Sequence, residues 1–518
     1  MLTLSLFAVL ACAFLVSLRR QWRGTSLRHP PGPWAIPAIG NLLHFPLSKD
    51  SPWRKLLKWK YEFGKMTYLH GFGNSVVVLN DIDTCNDLLV KDGHVWTDRP
   101  VFTMGGELMG VDRSTVFMSN TPTWRYHRKL TDIAFNANVV KEYCGAQEDI
   151  AALMAQSITT HPEGFIEHLR LATGRIIMSV TYGISPQLAE EDYIRHAEDT
   201  LMLLTETLVP GAYLVDAIPS LKYLPEHLPF KTFHDKAREG RAMSEKLVFP
   251  PYHQVKKEMA AGEAPHSLVK QLLSLPHADT QSDSADAAFE DAVIWAAGSM
   301  YGAGVETTYS TVLNCILAMT MYPEVQRRAQ LELDSVVGDK LPSIENQHET
   351  PYLNALLQEL LRWHPALPLG IPHRSSKDVV YQGFFLPKNT IAIANVWAIT
   401  REEDPDFSPE EFAPERFLPR PSGFVPQDPF TYAFGFGRRI CPGKALAANS
   451  IYILVAYLVH NFSYHLPRNV DGVEEAIHPT WRSSLTSFPN PFKCRIVPRS
   501  EERMSMINQR ASSARMAK

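Results

Sequence analysis

Apolar and polar positions along this chain follow a helical period over most of its length, with short exceptions. Leu2 to Leu18, LTLSLFAVLACAFLVSL, is an uncharged apolar run followed by Arg19, Arg20, Arg23 and Arg28. It sits at the short end of the roughly 17–25 residues that cross a bilayer as a helix. No positive charge precedes it, as a cleaved signal peptide would need. The arginines behind it predict a retained anchor over 1–20 with the remaining chain in the cytosol. Pro30, Pro31, Pro33 and Pro37 then predict a stiff hinge over 21–40. Val76 to Leu79 reads as a buried strand, and Asp83 to Gly93 as a helix capped by Asp83 or Thr84. Helical patterns dominate from about Lys129 to Leu333. Among them, Glu290 to Pro323 reads as one long helix, too rich in acids at Glu290, Asp291 and Glu306 to cross a membrane. The stretch 276–288 reads as a polar surface loop. Asp378 to Asn395 returns to short strands with turns at Gly383 and Lys388-Asn389. Residues 405–434 are rich in proline and aromatics with little periodicity, and Lys444 to Phe462 is a strongly apolar helix. The polar, mildly basic stretch 500–518 predicts a disordered tail. No break has the composition of a linker. The pattern predicts one mainly α domain of α+β class over 41–499, with a small strand-rich part.

Composition narrows this picture only a little. With 518 residues, 45% of them hydrophobic, the chain can bury a large core. A formal charge of −4 offers no polyanion footprint, so nucleic acid is not an expected partner. Cysteines at 12, 85, 144, 315, 441 and 494 are scattered without a C-x-x-C pair. That spacing argues against a disulfide scaffold, a zinc ribbon or an iron–sulfur cluster. Cys85, Cys144, Cys315 and Cys494 are expected to be structural thiols. Cys441 differs. In FGFGRRICPG it follows two glycines that permit a tight turn and a close approach to a flat group, with Arg439 beside it. A helix begins directly after it, where free N–H groups favour a thiolate. Such a thiolate suits an axial metal ligand.

Phe434, Gly435, Gly437, Arg439, Cys441 and Gly443 fit F-G-x-G-x-R-x-C-x-G. This stretch resembles the haem-binding loop of cytochrome P-450 monooxygenases. The resemblance implies the P-450 fold, a large helical domain with small β-sheets and haem b between the long central helix and the cysteine loop. Cys441 would be the iron's thiolate ligand. Glu359 and Arg362 share one helix face at i,i+3, and with Arg416 of PERF they would brace the haem loop. Trp124 and Arg128 match W-x-x-x-R, and with His373 and Arg439 they would meet the haem propionates, Arg374 being a less apt substitute for His373. Ala303 to Thr308 match [AG]-G-x-[DE]-T-[ST]. Thr307 would bond back to a carbonyl and hold a water, with Glu306 in the proton path. Gly298, Gly302 and Gly304 each cost a helix roughly 1 kcal/mol against alanine, which makes sense if something approaches the backbone there.

By the same resemblance, residues 97–118, 201–223, 296–307, 366–371 and 484–487 would line a substrate pocket. Phe102, Phe117 and Tyr213 are among its aromatic residues. The implied activity is insertion of one atom of dioxygen into a lipophilic small molecule. Electrons would come from NADPH through a separate cytochrome P-450 reductase, at the endoplasmic reticulum membrane, and the segments look like those of fungal secondary metabolism. Two alternatives share Cys441: an isomerase or dehydratase acting on peroxides without a reductase, and a non-enzymatic haem sensor. The Glu306–Thr307 pair counts against both.

Overall fold

The structure is a computed structural model that describes residues 27–516 except 37–39, 42–43, 45–50, 72–73, 185–190, 208–212, 225–231 and 276–282. The apolar run expected to anchor the chain lies outside the described residues. Where the proline-rich hinge is described, it is tied to the folded body. Arg28 O accepts from Phe385 N, Pro31 O accepts from Tyr68 N, and the His29 ring stacks on Tyr68 at 4.6 Å. Among the described residues no helix is long and apolar enough to cross a membrane.

A helix over Asp283–Met321 runs through the middle of the molecule. From Ala292 onward it is largely apolar because it is packed on nearly every side. Its second half, from Tyr309 to Met319, joins the helices Cys144–Thr160, Phe165–Tyr182, Pro323–Val337, Pro351–Trp363 and Lys444–Asn461 in one core. Its first half, up to Val305, joins Pro122–Phe135 and Thr232–Ala261 in another. Glu306, Thr307 and Thr308 fall where the two cores part. This break in an otherwise apolar helix is where a cavity opens.

The strands are few. β1 (Met66–Gly71) pairs antiparallel with β2 (Asn74–Leu79), β2 parallel with β6 (Ile391–Ala394), and β6 antiparallel with β3 (His373–Arg374). β4 (Val379–Tyr381) and β5 (Phe384–Leu386) form a hairpin, as do β7 (Phe462–His465) and β8 (Arg495–Pro498) in pairing though not in sequence. The two turns expected between 378 and 395 are where the backbone enters the left-handed region, at Gln382-Gly383 and at Asn389.

Three expectations need correction. The helix expected over 83–93 begins at Ile82 and is capped by Asp81, whose carboxylate accepts from Thr84 N at 3.0 Å and Thr84 Oγ1 at 2.7 Å. It continues as a π-helix over Asn86–Lys91. The long helix starts at Asp283, so only 276–282 of the expected loop lies outside it, beyond the described residues. The tail is not disordered but helical over Glu501–Met516. Met504, Ile507 and Ala511 form a buried stripe at helical spacing within a polar sequence. Arg510 adds ion pairs to Glu148 and Asp149, and Arg503 adds one to Asp334.

Candidate active site

The cysteine loop is shaped by its glycines. Gly435 and Gly437 hold φ of 81° and 53°, where an L side chain is strained. A Cβ on Gly437 would also lie 2.1 Å from Leu89 O, so the loop presses directly on the π-helix. Cys441 N donates to Phe434 O at 2.8 Å and closes the loop, and Gly443 leads into the helix Lys444–Asn461. Burial pushes the Cys441 thiol up. The Gly443 N–H, the Arg128 guanidinium and Lys444 pull the other way. In the bare chain burial wins over the helix start; a metal cation at the sulfur would reverse that balance.

Cations crowd one end of the cavity beside this loop. Thr121 caps the helix Pro122–Phe135 by accepting from Trp124 N, and Trp124 and Arg128 follow on one face. Arg128 Nη1 donates to Ile440 O at 2.9 Å. Arg439 stacks over the Trp124 ring at 3.9 Å and donates to Thr97 O and Met118 O, both at 2.7 Å. Arg99, which no sequence motif marks, is buried there too and donates to Ile371 O and Pro372 O. Burial and the neighbouring guanidiniums push Arg439 down to about 8 and Arg99 to about 9. Among the described residues no carboxylate is ion-paired to Arg99, Arg128 or Arg439. The buried Trp124 Nε1 has no partner. Three uncompensated guanidiniums and an idle N–H fit the two carboxylates of a haem.

His373 reaches the same wall and lines the cavity beside Arg99 and Arg439. Its Nδ1 must donate to Trp96 O, 2.9 Å away, because a carbonyl only accepts. Burial, Arg99 and Arg439 push it down to about 3, so the ring is neutral and offers an unprotonated Nε2. The third cation of the wall is Arg99. Arg374 is turned to Ser119 and does not line the cavity.

On the central helix, Thr307 Oγ1 donates to Ala303 O at 3.0 Å, the back-bond expected from the sequence. Glu306 is 9% exposed and accepts from the Thr486 hydroxyl. Burial raises its pKa, against the pull of Thr486, Arg482 and Arg170, so it keeps its proton to higher pH than an ordinary carboxyl. Gly298 and Gly304 are packing positions. A Cβ there would lie 2.3 Å from Val248 and 2.8 Å from Ile177.

Glu359, Arg362 and Arg416 meet as expected, all nearly inaccessible. Arg362 holds the carboxylate with two bonds, at 2.5 and 2.7 Å, and Arg416 Nε lies 3.5 Å from it. The same carboxylate accepts from Ala413 N, and Arg362 also donates to Thr400 O, Pro409 O and Glu411 O. The helix Pro351–Trp363 is thereby fastened to the irregular stretch before the cysteine loop.

A cavity of about 320 Å³ joins these groups: Cys441, Trp124, Arg128, Arg439, Glu306 and Thr307 all line it. Residues 114–117, with Phe117 among them, most of 298–307, Ala366, Leu367, Gly370 and Ile371, and residues 485–486 contribute, as expected. Phe102 is not among the lining residues, and Tyr213 packs instead beside Met104 and Val215. Thr173, Ile176 and Ile177, and Ser244, Leu247 and Val248, line it from helices that no motif marked.

The description "Cytochrome P450" (cytochrome P-450) belongs to the family model that matches residues 30–493. The chain belongs to the cytochrome P-450 family. It is 36% identical over 516 residues to cytochrome P-450 monooxygenase 98 of Postia placenta, covering 98% of this chain and 96% of that one. Cytochrome P-450 monooxygenase COX1 of Coprinopsis cinerea is 34% identical over 503 residues, 95% of each chain. The tryptamine 4-monooxygenase of Psilocybe cyanescens is 34% identical over 518 residues, 98% of this chain and all of that one. This P-450 is accordingly a haem-dependent monooxygenase with cysteine thiolate ligation, and the peroxide isomerase and haem sensor readings are not favoured.

Proposed function

We propose that Cys441 is the haem thiolate of this P-450 and that Glu306 and Thr307 deliver protons for insertion of one oxygen atom into a lipophilic small molecule. The observation that carries the reading is that a single cavity is lined by Cys441, by three guanidiniums with no ion pair to a described carboxylate, and by the acid–alcohol pair. Haem, when bound, supplies the electron-transfer and dioxygen chemistry. Arg99, Arg128, Arg439 and Trp124 Nε1 would hold its carboxylates, with His373 beside them. The thiolate of Cys441 would give the iron electron density, with its charge tempered by the Gly443 N–H. Glu306 holds a proton in its raised carboxyl and passes it to a water at the Thr307 hydroxyl, once that hydroxyl leaves Ala303 O. Glu359, Arg362 and Arg416 fix the loop that presents Cys441.

Electrons come from NADPH through a separate membrane-bound reductase, residues 2–18 anchor the chain in the endoplasmic reticulum, and the catalytic body faces the cytosol. The fungal relatives support a place in secondary metabolism. Tryptamine itself is not carried over, because Glu306 is the only carboxylate lining the described cavity and it is engaged by Thr486. Reconstitution with a reductase tests the reading. NADPH and dioxygen consumption that requires the reductase and yields an oxygenated product from a lipophilic library is the expected result. Turnover of hydroperoxides with no reductase, or no turnover at all, contradicts it.

A further inference from the structure

Glu306 and Thr486 both line the cavity, and the two carboxyl oxygens of Glu306 have different surroundings. The Thr486 hydroxyl donates to Oε2. Oε1 accepts from no described group and is not sealed off, so it is the oxygen open to the cavity. The charged groups around this carboxyl are Arg482, on the segment that carries Thr486, and Arg170, on the helix Phe165–Tyr182. Beyond Arg170, 2.6 Å from its Nε, stands Glu198 of the helix Glu191–Thr207. Among the described residues, Thr486 alone is hydrogen-bonded to the Glu306 side chain.

Thr486 is held in place by a ladder between the central helix and residues 481–487. Glu306, Ser310 and Asn314 recur every four residues and lie on one side of that helix. Glu306 accepts from Thr486, Ser310 Oγ donates to Ser487 O at 2.7 Å, and Asn314 Oδ1 accepts from Trp481 Nε1 at 3.1 Å. Ser487 N donates to Ala366 O at 2.8 Å. Ser487 Oγ donates to Arg482 O at 2.9 Å and accepts from His364 Nε2 at 2.7 Å. Ser484 Oγ donates to Thr486 O, and the Trp481 and His364 rings stack at 4.5 Å. The chain is therefore tied on both sides of Thr486.

Such a fixed donor decides where a proton sits. Thr486 Oγ1 has Glu306 as its one described partner, so its hydrogen goes to Oε2. In a neutral carboxyl the oxygen that accepts is the carbonyl oxygen, and the O–H is on the other. Resting on Glu306 as the acid that serves Thr307, we propose that Thr486 is a positioning residue for oxygen insertion: it pins Oε2 as the acceptor and leaves the acid's O–H on Oε1, open to the cavity. On transfer the Oε1–H bond breaks and a cavity water takes the proton. The negative charge left behind is shared with Oε2, where Thr486 already donates. Solvent then returns a proton to the carboxylate. Without that hydroxyl, Glu306 can carry its O–H on either oxygen. Burial, which raises the Glu306 pKa, keeps the proton available.

The test follows the protonated carboxyl of Glu306 in the infrared spectrum of the haem-loaded full-length enzyme, assigned by its loss in Glu306→Gln. Thr486→Val keeps the side-chain shape and removes the hydroxyl. Thr486→Ala serves if valine disturbs the fold, and Thr486→Ser keeps the hydroxyl. With the hydroxyl removed, the C=O stretch is expected to move to higher wavenumber, because Oε2 has lost its donor. The titration midpoint should rise by about one to two pH units, because a bond that favours the charged form has gone. Thr486→Ser should return both to the parent values. A C=O stretch that stays in place or falls without the hydroxyl overturns the proposal, since the proton then sits on Oε2. So does a parent enzyme with no protonated Glu306 at any pH at which it holds haem, or a serine variant that behaves as the valine one. The relay is read separately, as product per NADPH in Glu306→Gln with a library compound that the parent oxygenates. A parent-like yield there fails the reading on which this proposal rests, and leaves the infrared bands untouched.

Discussion

Thr307 contributes one hydroxyl, held 3.0 Å from Ala303 O, and the proton path depends on it. Thr307→Ala is expected to keep haem and substrate binding and to go on consuming NADPH through the reductase. Product per NADPH should fall and peroxide should rise, because a proton without its positioned water arrives at the wrong place. General acid–base assistance is worth about 10²–10⁴-fold, so the loss of product should far exceed any change in affinity. Full product yield per NADPH in Thr307→Ala contradicts the relay. At this scale the sequence was most informative where a residue's role follows from close spacing. Thr307 bonding back four residues, Trp124 with Arg128, and Glu359 with Arg362 are all set by helical geometry. Arg99 was not visible, because it is defined by partners far along the chain. Arg99 meets carbonyls at 371 and 372, and burial, with that same arginine, lowers the pKa of His373.

Elements are held together by buried charge as well as by apolar packing. Glu359 is fully buried, with Arg362 and Arg416 as its counter-ions and Ala413 N as a third donor. Glu359→Gln leaves Arg362 without its counter-ion, while Arg416 keeps Asp404 at 3.0 Å, and breaking such a pair from one side costs about 3–5 kcal/mol. Urea unfolding should therefore shift by that order, and haem should be lost more readily than from the parent chain. A stability within about 0.5 kcal/mol of the parent, where surface changes fall, would mean that the fastening of 351–363 to the cysteine loop lies elsewhere. The tail helix shows where element reading from sequence ends. Its three buried positions are diluted by polar neighbours, and what orders it is a surface supplied by 144–160 and by Asp334. The start of the helix at Ile82 was missed for a smaller reason. Asp81 caps it two residues before the first expected candidate.

For the molecule as a whole, one acid-sensitive junction stands out. Burial works to raise Asp404, but hydrogen bonds from Arg420 and the Asp406 N–H, with Arg416 close by, outweigh it and hold the carboxyl at about 2. A carboxyl depressed by folding adds stability above its unfolded value near 4, and that stability is lost as pH falls through the folded one. Stability should thus decline between about pH 4 and pH 2, and Asp404→Asn should flatten that part of the curve. An unchanged slope in the variant would show that other carboxyls govern it. The mainly α architecture was legible because long helical periods dominate the chain, and the family because ten residues around Cys441 are so unusual. The shape of the cavity was not, since it is assembled from helices whose own sequences say only that they are buried.

The central claim is that Cys441 holds the iron. The reduced carbon monoxide complex of the full chain should show the absorption band of thiolate-ligated haem from which the family takes its name. Cys441→His should still take up haem, because Arg99, Arg128, Arg439 and Trp124 remain, yet lose that band entirely. A thiolate band that survives in Cys441→His would mean that another cysteine binds the iron, and would contradict the account at its root.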